Sequence, residues 1–98
     1  MDIQPHVGLL TVSLFIGASQ SLKDKRMVVK SIKDKVTARF NVSVAEVDGQ
    51  DKWQVATLAF AIVGADSGYV DRSLHDIVSL IENNYGEVEI TDQQIEFL

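Results

Sequence analysis

The sequence contains no cysteine and only one proline, Pro5. Without thiols there can be no disulfide, no thiolate metal site and no cysteine nucleophile. A cysteine-ligated iron–sulfur cluster is excluded on the same ground. With no proline after residue 5, every later segment is free to run as continuous secondary structure. The two histidines, His6 and His75, are too far apart in sequence to argue for a metal. There is no HExxH, no GxGxxG, no phosphate-binding glycine loop and no serine elbow. No residue set pairs a nucleophile with a base, so the expectation is a non-enzyme with no cofactor. No run approaches the ~20 apolar residues that a membrane span needs. Met1-Asp2-Ile3-Gln4-Pro5-His6 lacks the basic region that starts a signal peptide. These absences lead to the expectation of a cytoplasmic protein with no membrane association.

What is present suffices for one domain spanning residues 1–98. The chain is 46% hydrophobic, and a domain of this size buries roughly 60–70% of its unfolded surface, enough to fold without staples. The net charge of −5 conceals an asymmetry. Residues 21–40 hold Lys23, Lys25, Arg26, Lys30, Lys33, Lys35 and Arg39 against Asp24 and Asp34. The rest of the chain holds only Lys52 and Arg72 against twelve acidic residues. A polyanionic partner responds to the local field, so the acidic total does not by itself exclude nucleic acid.

Apolar periodicity divides the chain into six elements. In residues 6–16, Leu10, Val12, Leu14 and Ile16 alternate with Leu9, Thr11, Ser13 and Phe15, a period-two strand with one fully apolar face. Gly17 to Gln20 breaks it. Ser21, with Asp24 three residues on, resembles a capping box. Leu22, Val29, Ile32, Val36 and Phe40 then form a stripe at helical spacing. Residues 41–47 alternate again, and Asp48-Gly49 reads as a tight hairpin turn. The partner strand is expected over 52–63, with Ala56, Leu58, Phe60 and Ile62 on one face and Trp53, Val55, Thr57, Ala59 and Ala61 on the other. Capping residues around Asp66 lead into a second amphipathic helix carrying Val70, Leu74, Ile77, Val78 and Ile81, to about Tyr85. Gly86 is placed for a left-handed C-terminal residue. Residues 87–91 read as a short last strand, followed by a polar tail.

This order is a split βαβ pattern. It predicts a ferredoxin-like βαββαβ two-layer sandwich of class α+β, with a four-stranded antiparallel sheet, the first and third strands central and both helices on one face. The other sheet face then has nothing to cover it. Its residues are small or apolar, and Leu9, Thr11, Phe15, Trp53, Val55, Thr57 and Ala59 become candidate interface residues for a second copy or another partner. The alternative is that the C-terminal tail, with Ile95 and Phe97, folds over them.

Several strings carry a resemblance to a family. Ser21-Leu22-Lys23-Asp24-Lys25-Arg26, Ala38-Arg39-Phe40-Asn41-Val42-Ser43-Val44-Ala45-Glu46-Val47, Gln50-Asp51-Lys52-Trp53-Gln54 and Gly86-Glu87-Val88-Glu89 are similar to the bacterial YlxP-like family. Asp24 stands where that family more often has Glu. The resemblance implies a ferredoxin-like fold and no defined activity. It also implies a ribosomal or RNA context, because the family's genes tend to lie near those of translation factors.

The residues offer one leading candidate site. Lys23, Arg26, Lys30 and Lys33 follow i, i+3, i+7, i+10 spacing, one stripe along about three turns. With Lys25 and Arg39 they make a candidate nucleic-acid surface whose natural counter-charges are phosphates. The alternative is a solvated flank that pairs with Glu87, Glu89 or Asp92. Ser19, Gln20 and Ser21 at the helix start are a candidate anion cradle, against ordinary capping. The hairpin cluster of Glu46, Gln50, Asp51, Trp53 and Gln54 is a candidate docking tip, against a packed turn. RNA recognition by base stacking on the sheet is not expected, because the central strands do not present the required aromatics. Three functions remain: a non-enzymatic binding module for RNA or ribosomal components, a homo-oligomeric interaction module using the open sheet face, and a small-molecule-binding regulatory domain by analogy of fold.

Overall fold

The computed structural model describes residues 4–98. The leader-peptide expectation rests partly on Met1, Asp2 and Ile3, which lie outside the described residues. The elements run β1 (His6–Ile16), α1 (Leu22–Arg39), β2 (Val42–Asp48), β3 (Val55–Gly64), α2 (Ser67–Asn84) and β4 (Val88–Phe97). The strands pair antiparallel in the order β2-β3-β1-β4, so β1 and β3 are central, as expected. Among the described residues no helix is long and apolar enough to cross a membrane.

Each helix starts where a short polar side chain can take its free amides. The Ser21 hydroxyl accepts from the Asp24 amide, and the Asp24 carboxylate reaches back to the Gln20 amide, both at 3.0 Å. This is a capping box displaced by one residue. At α2 the Asp66 carboxylate accepts from the Gly68 and Tyr69 amides. Past α1, Phe40 is already extended, at φ −129° and ψ 144°, and the chain passes straight into β2.

One core lies between the helices and the sheet. Leu10, Val12, Leu14 and Ile16 of β1 meet Ala56, Leu58, Phe60 and Ile62 of β3. Val29, Ile32 and Val36 of α1 cover them, with Val70, Leu74, Ile77, Val78 and Ile81 of α2. Burying each such side chain is worth about 1.5–3 kcal/mol, which is what holds two amphipathic helices against a short sheet. Gly8 lets α2 come close: a Cβ there would sit 2.6 Å from Val70 Cγ1 and 2.8 Å from Leu74 Cδ1.

Three expectations need correction. The last strand is ten residues, not five. Asp92, Gln93 and Gln94 look like tail because they sit on an edge strand, where polar side chains are tolerated, and a register shift between Ser13 and Leu14 offsets their alternation. The C-terminal segment therefore widens the sheet and does not fold over the open face. Gly86 does not adopt a left-handed conformation; among the described residues only Gly49 does, at φ +81°. Finally, Asp48-Gly49 is not a two-residue hairpin. Residues 49–54 form a longer connection with a turn closed by the Lys52 amide donating to the Gly49 carbonyl at 2.9 Å. Trp53 belongs to that connection and not to β3, and it is 48% exposed.

Candidate nucleic-acid interface on the first helix

Lys25 departs most sharply from the sequence reading. It is fully buried, and its ammonium donates to Glu46 Oε2 at 2.8 Å, to the Gly49 carbonyl at 2.7 Å and to the Gln50 carbonyl at 3.4 Å. Three donors meet three acceptors, so the cation is satisfied inside. Lys25 is thus not part of any nucleic-acid surface; it ties α1 to β2 and to the following loop. The signal for this was present. Lys25 is four residues before Val29, in step with Ile32 and Val36, and Glu46 follows Val42 and Val44 at strand spacing. One charge stands at an inward position on each element, positive on α1 and negative on β2.

The same geometry changes the hairpin cluster. Glu46 and the carbonyls of Gly49 and Gln50 turn inward to Lys25, while the Gln54 amide donates to the Gly17 and Ser19 carbonyls. These groups brace two loops against each other, while Asp51 and Trp53 of the same cluster stay exposed. The anion cradle is also occupied from within. The Gln20 and Asp24 amides already have acceptors, and the Asp24 carboxylate lies at the helix start.

The basic stripe itself stands on the surface. Lys23, Arg26 and Lys30 are exposed and Lys33 is half-buried. Lys30 pairs with Asp34 at 2.7 Å, both side chains largely in solvent. Among the described residues Lys23, Arg26 and Lys33 form no ion pair, and Glu87, Glu89 and Asp92 do not reach the stripe. The stripe faces away from α2. The flank of α1 toward α2 carries Ser31, hydrogen-bonded to the Tyr85 hydroxyl at 2.7 Å, and Lys35, 5.1 Å from the Tyr85 ring centre. Arg39 lies outside the row at the end of α1, 5.8 Å from the Phe40 ring centre.

The open sheet face is as the alternation implies. Leu9, Thr11, Val55, Thr57 and Ala59 are half-buried there and Phe15 is 39% exposed. Ser13 and Thr57 hydrogen-bond across it at 3.2 Å. Two shallow depressions, of about 380 Å³ beside Glu82, Thr91 and Asp92 and about 360 Å³ beside Met27, Lys30 and Asp34, are open to solvent. Neither is enclosed as a small-molecule site usually is.

Comparison with known proteins agrees with this architecture. The family model described as "Protein of unknown function (DUF503)" matches residues 7–95. The "Uncharacterized protein YlxP" of Bacillus subtilis (strain 168) is 31% identical over 91 residues, covering 93% of this chain and 98% of the relative. Among solved structures, the de novo designed protein Foldit4 superposes with a TM-score of 0.55 at 14% identity, covering 97% of both chains. A dabb family protein with a ferredoxin-like fold from Mesorhizobium loti gives 0.53 at 18% identity, covering 97% of this chain and 96% of its own. At such identities the structural likeness concerns the fold alone.

Proposed function

This chain belongs to the DUF503 family of proteins of unknown function, and on that footing we propose that it is a non-enzymatic, cytoplasmic binding module that holds RNA, in a ribosomal setting, through the outer flank of α1. The observation that carries this reading is the state of the stripe. Lys23, Arg26 and Lys33 project without an internal ion pair among the described residues, and Lys30 is shared only with an exposed carboxylate. An exposed pair of that kind is worth about 0.3–0.5 kcal/mol and yields to a phosphate.

Lys23 to Lys33 spans about 15 Å along the helix, enough to follow a stretch of phosphate backbone. Lys and Arg bind phosphate as a point charge and as a fork, and the energy comes from counterion release, so contact is expected to be strong at low salt and indifferent to sequence. Most of the acidic residues lie outside α1, including Glu87 just before β4 and Glu89, Asp92 and Glu96 within it. β4 is at the sheet edge opposite β2, beside which α1 packs. That polarity would orient the molecule, helix first, toward a polyanion.

Fluorescence anisotropy with a labelled RNA oligonucleotide at low ionic strength tests the proposal. Arg26→Glu combined with Lys30→Glu is expected to weaken binding at least tenfold, while Arg72→Glu on α2 leaves it unchanged. Absence of binding, or equal affinity in the stripe variant, overturns the reading.

A further inference from the structure

We infer that the open sheet face seats a second copy of this chain, packed sheet to sheet, with the strands of the two copies running in the same direction and the helices outward. Charge, size and shape on that face carry the inference, and none of them involves α1, so it stands apart from the RNA reading.

The register assigns alternate residues of β1 from Val7 to Phe15, and of β3 from Val55 to Val63, to this face. None of these ten positions is charged, in a chain that is 23% charged. A face meant for solvent or for phosphates would not be built this way. Four strands about 4.8 Å apart, of 11, 10, 10 and 7 residues at ~3.3 Å per residue, present roughly 600 Å². Two such faces together bury roughly 1,200 Å², the lower bound for a stable protein–protein interface. The middle of the face holds Thr11, Ser13, Thr57 and Ala59, small enough for two sheets to approach to the usual ~10 Å, with Leu9 beside Ala61 one pair further along. The larger Phe15 and Val63, 39% and 51% exposed, stand at its two ends.

The rims set the direction of the two-fold axis. On this face β4 contributes Glu89, Asp92 and Glu96, paired across from Phe15, Ser13 and Leu9. The opposite rim, β2, contributes Ser43 and Ala45, with one carboxylate, Asp48, at its end. An axis perpendicular to the strands would stack β4 on β4 and set three carboxylates against three. An axis along the strands lays β4 of each copy over β2 of the other and separates most of that charge. Like ends then meet, so that Phe15 of one copy lies near Phe15 of the other.

Sedimentation equilibrium of the full chain from about 1 μM to about 1 mM covers the range in which an interface of this size associates. A dimer is expected, weakened at least tenfold by either Ala61→Glu or Thr57→Lys, with the circular dichroism spectrum and urea midpoint of each variant checking that it folds. Because the chain lacks cysteine, a single introduced thiol reports on the axis: Phe15→Cys is expected to cross-link to itself with a short bismaleimide. With the perpendicular axis those thiols would be roughly 26 Å apart, four residues on either side of Thr11. A monomer throughout, a dimer indifferent to both face variants, or self-cross-linking by Thr11→Cys but not Phe15→Cys would each overturn the inference.

Discussion

The Lys25 ammonium lies 2.8 Å from the Glu46 carboxylate beneath α1, with the lysine fully buried and the glutamate side chain 16% exposed. This pair divides the cations of α1 into two kinds. One is structural and turned inward; Lys23, Arg26, Lys30 and Lys33 stay on the outer flank.

Removing one member of a buried pair strands the other. Glu46→Ala leaves the Lys25 ammonium with only carbonyl acceptors and is expected to cost about 3–5 kcal/mol. Lys25→Met replaces the cation by an apolar chain of similar length and lets the partly exposed Glu46 reach water, so it should cost less than Glu46→Ala. Urea unfolding of the two variants checks the order; a larger loss for Lys25→Met would contradict it.

The exposed pair behaves oppositely. Asp34→Asn removes a contact worth about 0.3–0.5 kcal/mol, so stability should hardly move. It also releases Lys30 and deletes a carboxylate beside the stripe. RNA affinity at low salt is expected to rise, by about two- to fivefold, equivalent to roughly 0.4–1 kcal/mol. Anisotropy titration of this variant is the check, and an unchanged or weaker affinity would count against the stripe.

Two glycines should respond differently to alanine. Gly49 lies at φ +81°, where a side chain costs roughly 1–2 kcal/mol, and its Cβ would approach the Val55 carbonyl oxygen to 3.1 Å. The expected loss is roughly 4–16 °C in melting temperature for a domain of this size. Gly86 has no positive φ and nothing within 4 Å of its Cβ position. Gly86→Ala should therefore be neutral or stabilising by up to about 1 kcal/mol, through the unfolded state. Thermal melts of both variants decide this.

The legible parts of the fold are those where one period dominates. β1 and β3 alternate over ten or more residues because one face is core, and α2 carries an unbroken apolar stripe. Their pairing follows from element order. β4 was readable only as far as Thr91, because its next residues are polar on an exposed edge and shifted in register. The β2–β3 connection is not legible because Asp-Gly usually closes a tight turn, whereas here the backbone extends to bring two carbonyls to Lys25. At the candidate site, helical spacing identified Lys23, Arg26, Lys30 and Lys33 as one row. The same spacing, applied to Lys25, Val29, Ile32 and Val36, marks Lys25 as inward. A lysine is assigned to solvent by composition, and only the matching inward position of Glu46 reverses that.

The charges that remain on the outer flank of α1 can be counted through the salt dependence of RNA binding. For four cations on single-stranded RNA, log K plotted against log salt concentration should fall with a slope of about −2.8. Each charge-removing substitution at Lys23, Arg26, Lys30 or Lys33 should flatten that slope by about 0.7, and substitution at the buried Lys25 should leave it alone in protein that remains folded. A slope near zero, or one that is unchanged when the stripe is neutralised, would contradict the account.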